Sequence, residues 1–261
     1  MRIASLTVYA SLSIAICGVG WKGAAEGAGY AHNENFDVYT PAQSAPDAAR
    51  EYSRQVLAAA EKYRREIAVE WLGQELPPSV GRTVINIRFD EQRDHGLTWA
   101  IGQSRRRTHT LYLATSPELA AGSTLAHEMT HVVLATRFAG DKRLPAWLEE
   151  GIASHYDDDS RNARRRNLLR WFVETGNWPR LPLVLQSENI AADDAESYAV
   201  ACSVKDYLLT QGDKGQLIEF GQQAVAAGWE NALQTCYNIR GADRLQSEWQ
   251  QWVMRQFEQR Q

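Results

Sequence analysis

The sequence predicts an α+β fold: a small antiparallel sheet in the N-terminal half, packed on a mostly helical C-terminal half. Three observations predict it. Short segments of alternating or β-rich character cluster between residues 83 and 114. A long stretch before them, 45–73, keeps a 3–4 apolar rhythm. After Ser116-Pro117 almost every segment carries helical periodicity.

In chain order, residues 1–25 read as an export signal. Met1-Arg2 supplies the positive start, 3–20 is apolar or small without charge, and small residues follow. Two cleavage positions fit, near Ala25 or between Gly29 and Ala31. An uncleaved membrane anchor is the alternative to cleavage, because the stretch is marginal as a span. Ile16 before Cys17 makes a poor lipidation motif. The expected location is outside the cytoplasm, periplasmic or secreted.

Residues 33–116 form the expected N-terminal α+β half. Within it, 33–45 is polar and turn-rich, with a short edge strand at 36–39. Residues 45–73 form one amphipathic helix through Ala49, Tyr52, Val56, Ala59, Tyr63, Ile67 and Trp71, and Pro77-Pro78 breaks it. Residues 83–89, 97–101 and 108–114 are strands, the last two joined by a turn containing Arg105-Arg106-Arg107. The stretch 108–114 is a candidate exposed edge, to which an extended substrate could add as a further strand; an ordinary core strand is the alternative.

Residues 117–261 form the expected helical half, with helices at 117–121, 123–138, 145–156, 161–175, 194–210, 214–227, 229–238 and 241–259. No repeat, low-complexity tract or interdomain linker divides the two halves, so they read as one domain. Removing residues 1–25 leaves 26 Lys and Arg against 32 Asp and Glu, a net charge of −6. That mildly acidic balance gives no bias toward nucleic acid or an anionic membrane. Cys202 and Cys236 remain, either as a disulfide in an oxidising compartment or as two buried thiols. Nothing in the sequence sets an oligomeric state.

Chemistry concentrates in His127-Glu128-x-x-His131, on the 123–138 helix behind Ser123 as N-cap. Residues four apart lie about one turn apart on the same helix face, so both imidazoles can reach one metal ion. Glu128 sits too far around the helix to be a third ligand beside them, but it can lean over the metal's open position and take a proton from a bound water. With 6 His in the chain, chance supplies this element in only on the order of one in a hundred such sequences, so it is above background. Glu150 follows nineteen residues after His131, within Leu144-Pro-Ala-Trp-Leu-Glu-Glu-Gly-Ile-Ala153. Three protein ligands with one position left open is the arrangement of catalytic zinc, whereas structural sites are closed by four ligands.

The eighteen-residue gap and the run Trp147-Leu148-Glu149-Glu150-Gly151-Ile152-Ala153 resemble the gluzincin metallopeptidases, in the aminopeptidase N-like branch. The stretch 124–153 is more similar still to small bacterial peptidase MA-like domains, which lack large flanking domains. This resemblance implies one Zn²⁺ per chain held by His127, His131 and Glu150, not Glu149. It implies Glu128 as general base, and a downstream tyrosine as the donor that stabilises the oxyanion: Tyr198 first, Tyr156 second. The substrate it implies is a peptide or protein, without nucleic acid and without a stable membrane span in the mature chain. Two departures qualify it. Ser154 stands where thermolysin-like relatives carry an acidic residue supporting a histidine, so that support must come from elsewhere. There is also no Gly-Ala-Met-Glu-Asn-type element for holding a substrate N-terminus, which favours an endopeptidase. A second reading keeps the fold and the zinc but not the proteolysis, as an envelope-assembly or interaction module. Asp157-Asp158-Asp159 reads as a solvated helix end rather than a calcium site, because it lacks the alternating ligand spacing of a calcium loop. Arg164-Arg165-Arg166 reads as a solvated helix face, with a basic patch formed together with Arg105-Arg106-Arg107 as the alternative.

Overall fold

The computed structural model describes residues 28–43, 45–78, 82–92, 94–101, 108–138 and 142–258. The expected export signal, Cys17 and Arg105-Arg106-Arg107 lie outside the described residues.

The fold is α+β. Five strands, β1 (Gly29–His32), β2 (Phe36–Thr40), β3 (Thr83–Phe89), β4 (His95–Ile101) and β5 (Thr108–Thr115), make one sheet in the order β1-β2-β3-β5-β4. β1 falls in a stretch whose periodicity gave no strand, and it is closed into a hairpin by Asn33. The Asn33 Oδ1 accepts from the backbone N–H groups of Asn35 and Phe36 at 2.9 Å each. The sheet is mixed where an antiparallel one was expected. β1–β2 and β4–β5 are antiparallel, while β2–β3 and β3–β5 are parallel. For β2–β3 the cause is the crossover: the 27-residue helix α1 (Pro46–Leu72) returns the chain to the starting end of the sheet before β3 begins. β3 and β5 run parallel because β4 comes between them in sequence and pairs on the outer side of β5. Alternation along a strand carries no record of that direction.

The edge assignment is corrected by the same order. β5 is paired on both sides, to β3 and to β4, so 108–114 is an interior strand; β4 is the terminal strand of the sheet among the described residues. Gly96 and Thr98 of β4 turn toward the helical half, whereas Leu97 and Trp99 are exposed.

The C-terminal half holds α2 (Ser123–Ala135), α3 (Ala146–Ala153), a 3₁₀ turn (Ser154–Tyr156), α4 (Asp159–Thr175), α5 (Leu181–Leu185), α6 (Ala195–Leu209), α7 (Lys214–Ala227), α8 (Trp229–Tyr237) and α9 (Gly241–Glu258). The short α5 was not expected: five residues containing a proline are too few to show a period. Residues 117–121 are turns, not a helix. Tyr52 and Tyr63 of α1 donate to the carbonyls of Pro117 (2.9 Å) and Ala121 (3.0 Å), capturing oxygens that a helix would use in its own ladder. Gly122, not Ser123, takes the N-cap position of α2. Burial is continuous from the inner sheet face through Leu125 and Met129 of α2 and Trp147 of α3 to Trp249 of α9. Cys202 and Cys236 are free thiols on α6 and α8. No helix among the described residues is long and apolar enough to cross a membrane.

Candidate metal centre

α2 presents His127 and His131 side by side, their ring centroids 5.2 Å apart. α3 brings Glu150 against them. Its Oε2 lies 3.3 Å from His127 Nε2 and its Oε1 lies 3.8 Å from His131 Nε2. One donor atom from each residue falls within 4.8 Å of the others. Two ligands at about 2.05 Å from a tetrahedral zinc stand about 3.3 Å apart, so the group fits that ion with small adjustments.

The outward nitrogens are fixed first. His131 Nδ1 lies 2.9 Å from Glu149 Oε1, and His127 Nδ1 lies 3.1 Å from Asp157 Oδ1. An ionised carboxylate only accepts, so each Nδ1 carries a proton, which leaves Nε2, the nitrogen that faces Glu150, as the one able to bind a metal once it gives up its own proton. Glu150 Oε2 is buried and has no aligned hydrogen-bond donor, despite the nearby imidazole. The two Nε2 atoms and the Glu150 carboxylate thus face one point.

The electrostatics agree. Burial by itself lowers the pKa of His127, but the Asp157 hydrogen bond and the Glu150 carboxylate outweigh it and raise it to about 10. His131 is raised in the same way, burial being overcome by Glu149 and Glu150. Burial pushes Glu150 up, yet the two histidines bring it below the usual carboxylate range. The pocket therefore favours a positive charge where the three groups meet.

Glu128 is 6% exposed and points toward β4. Thr98 Oγ1 donates to its Oε2 at 2.5 Å and approaches its main-chain oxygen at 3.4 Å. Gly96 is required beside it, because a Cβ there would stand 2.3 Å from Glu128 Cγ and 2.4 Å from Oε1. On the other side, Gly151 lets α3 lie directly on α6: a Cβ at 151 would meet the Ala201 carbonyl oxygen at 2.8 Å. That contact brings Tyr198 of α6 close enough to Glu150 for the carboxylate to act on the phenol. Burial, then Glu150, raises the Tyr198 pKa, so the hydroxyl keeps its proton. Tyr156 is elsewhere: it donates to Glu70 and accepts from Trp71 Nε1 at 2.9 Å, both on α1. Its hydroxyl is committed there, on α1.

The support missing at Ser154 comes from Glu149 and Asp157. The sequence assigns neither this role: Glu149 is set aside there in favour of Glu150, and Asp157 reads as part of a solvated helix end. Asp157 is not part of a solvated helix end: its side chain is 1% exposed and held by Arg161 and Arg165. Arg165, likewise, is turned inward rather than solvated. The signal available was spacing: Arg161 and Arg165 stand four apart on one face of α4, and Asp157 lies just before its N-cap Asp158, within reach of both. Thr98 and Gly96 carried no comparable signal.

No protein-family model matches the chain, and no curated protein matches it.

Proposed function

We propose that the protein is a zinc-dependent peptidase of the gluzincin type, acting within peptide chains. The observation that carries this reading is the convergence of His127 Nε2, His131 Nε2 and Glu150 on one point, with both Nδ1 protons already committed to carboxylates. His127, His131 and Glu150 would hold one Zn²⁺, which when bound acts as a Lewis acid and makes water acidic enough to ionise near neutral pH.

The chain's own groups supply the rest. Glu128 is the general base: Thr98 occupies its Oε2 and leaves Oε1, the oxygen nearest Gly96, to accept a proton and return it to the leaving amine. Tyr198 keeps its proton and serves as hydrogen-bond donor to the charge that develops on the carbonyl oxygen. β4 ends the sheet beside Glu128, so an extended peptide added to that edge runs past the base. Export fits the same picture. Cleavage near Ala25 leaves β1 whole, whereas cleavage between Gly29 and Ala31 would remove half of a paired strand.

The test is Glu128→Gln. The variant is expected to bind one zinc with unchanged affinity and to lose chelator-sensitive cleavage of casein or a peptide library. Cleavage at the wild-type rate would reject Glu128 as base, and a zinc-loaded wild type inert on every peptide would reject the peptidase reading.

A further inference from the structure

Arg161 stands at a junction of four elements. Asp158 caps α4 by accepting from the backbone N–H groups of Ser160 (2.8 Å) and Arg161 (3.0 Å), which fixes the first turn. From that turn the Arg161 guanidinium spreads over several acceptors. Nη1 donates to Asp157 Oδ1 at 3.2 Å. Nη2 donates to the Asp94 carbonyl, to Asp94 Oδ2 at 3.3 Å and to Thr124 Oγ1 at 3.2 Å. Asp94 is the residue immediately before β4. Its carboxylate also accepts from Thr115 Oγ1 of β5 at 2.8 Å and from Thr124 Oγ1 of α2 at 2.7 Å.

One continuous path results: His127, Asp157, Arg161, Asp94, β4. Its ends are a metal ligand and the strand that packs on Glu128. The path depends on the shape of arginine. A planar fork spreads its N–H groups over two carboxylates and a carbonyl on separate elements, a span the compact ammonium of lysine cannot cover. Asp157 does not depend on Arg161 for charge balance, because Arg165 and His127 hold it independently. What Arg161 alone contributes is the tie from that cluster to Asp94.

We propose that Arg161 is a positioning residue that couples the metal centre to the edge strand β4, so that occupation of the centre and ordering of the strand favour each other. This rests on reading His127, His131 and Glu150 as a zinc site and β4 as the peptide-binding edge. Coupling of this kind is reciprocal: if zinc orders β4, then an ordered β4 tightens zinc.

The test uses Arg161→Gln and Arg161→Lys in the full mature chain. Amide hydrogen exchange in β4 is followed with and without Zn²⁺, zinc affinity is measured by competition with a chromophoric chelator, and kcat and KM are taken on one peptide. In the wild type, zinc is expected to slow exchange at residues 95–99. In Arg161→Gln, β4 exchange without metal is expected to rise about tenfold, as for loss of one charge-assisted hydrogen bond, and zinc should no longer slow it. Zinc affinity should fall by less than the roughly tenfold seen when a direct partner of a ligand is lost. KM should rise about tenfold, and kcat should fall as well, because Thr98 of the displaced strand also holds Glu128. Arg161→Lys, which keeps the charge and loses the fork, should resemble Gln at β4 and the wild type in melting temperature. Unchanged β4 exchange in both variants overturns the proposal, and so does equal zinc protection of β4 with and without Arg161. If the wild type binds zinc but cleaves nothing, the exchange and affinity measurements still decide the coupling. If it binds no zinc, the site reading fails, the coupling fails with it, and the metal-free exchange shows whether Arg161 holds β4 at all.

Discussion

The two carboxylates behind the histidines should separate cleanly when each is made an amide. Glu149 has one partner at the site, His131 Nδ1, and its side chain is 15% exposed. In Glu149→Gln the amide oxygen still accepts that N–H, so geometry survives and only the charge is lost. Exchanging a charge-assisted hydrogen bond for a neutral one costs about 1 kcal/mol, or about fivefold in zinc affinity. Asp157 differs. Its side chain is 1% exposed and balances Arg165, itself 12% exposed, as well as Arg161 and His127. Asp157→Asn should weaken zinc about 10- to 100-fold, the usual cost of losing a ligand's supporting carboxylate. It also leaves a buried guanidinium uncompensated, at about 3 kcal/mol of stability in the metal-free protein. For a chain of this length that is a fall in melting temperature of roughly 6–12 °C. Chelator competition reads the first quantity and thermal unfolding of the metal-free variants reads the second. If both variants lose zinc equally and the metal-free Asp157→Asn melts with the wild type, then Asp157 is not the buried keystone of this cluster and the reasoning is wrong.

Gly96→Ala places a methyl group on Glu128 and should lower kcat by on the order of 100-fold through displacement of the base, with zinc stoichiometry intact by chelator titration. Tyr198→Phe removes the donor and should lower kcat by about 100-fold or more, with little change in KM for a standard peptide; an unaltered kcat would exclude it. Away from the site, burial raises the Glu70 pKa, but hydrogen bonds from Lys214 and Tyr156 outweigh it and set it below its usual value of 4.5. A depressed carboxylate stabilises the fold above its unfolded pKa and loses that contribution as pH falls through the folded one. Lys214→Met should therefore flatten the fall in melting temperature between about pH 5 and pH 3, measured on metal-free protein.

The helices of the C-terminal half were legible because their apolar faces repeat at a helical period, and α7 matches its expected span of 214–227. β3 was legible at both ends, since alternation and flanking turn residues bound it. Strand direction and order were not, because the alternation that marks β5 reads the same at an edge and in the interior. The grouping of His127, His131 and Glu150 was legible because local helix geometry fixes His127 against His131, and the structure brings Glu150 within reach of both. Its surroundings were hidden for a physical reason. Asp157, Thr98 and Gly96 act through contacts made across elements, and their roles follow from the packing of α4 and β4 on α2.

The contact at Gly151 has a consequence for how finely this centre can be tuned. Two main chains in van der Waals touch form a hard stop, and no rotamer can relax it. The reach from Glu150 to Tyr198 is therefore gauged by backbone against backbone. A single methyl group at 151 would act as a shim between α3 and α6. Such a chain would keep His127, His131 and Glu150 together, since all three lie on the α2–α3 side, and the phenol would be held too far away to reach them.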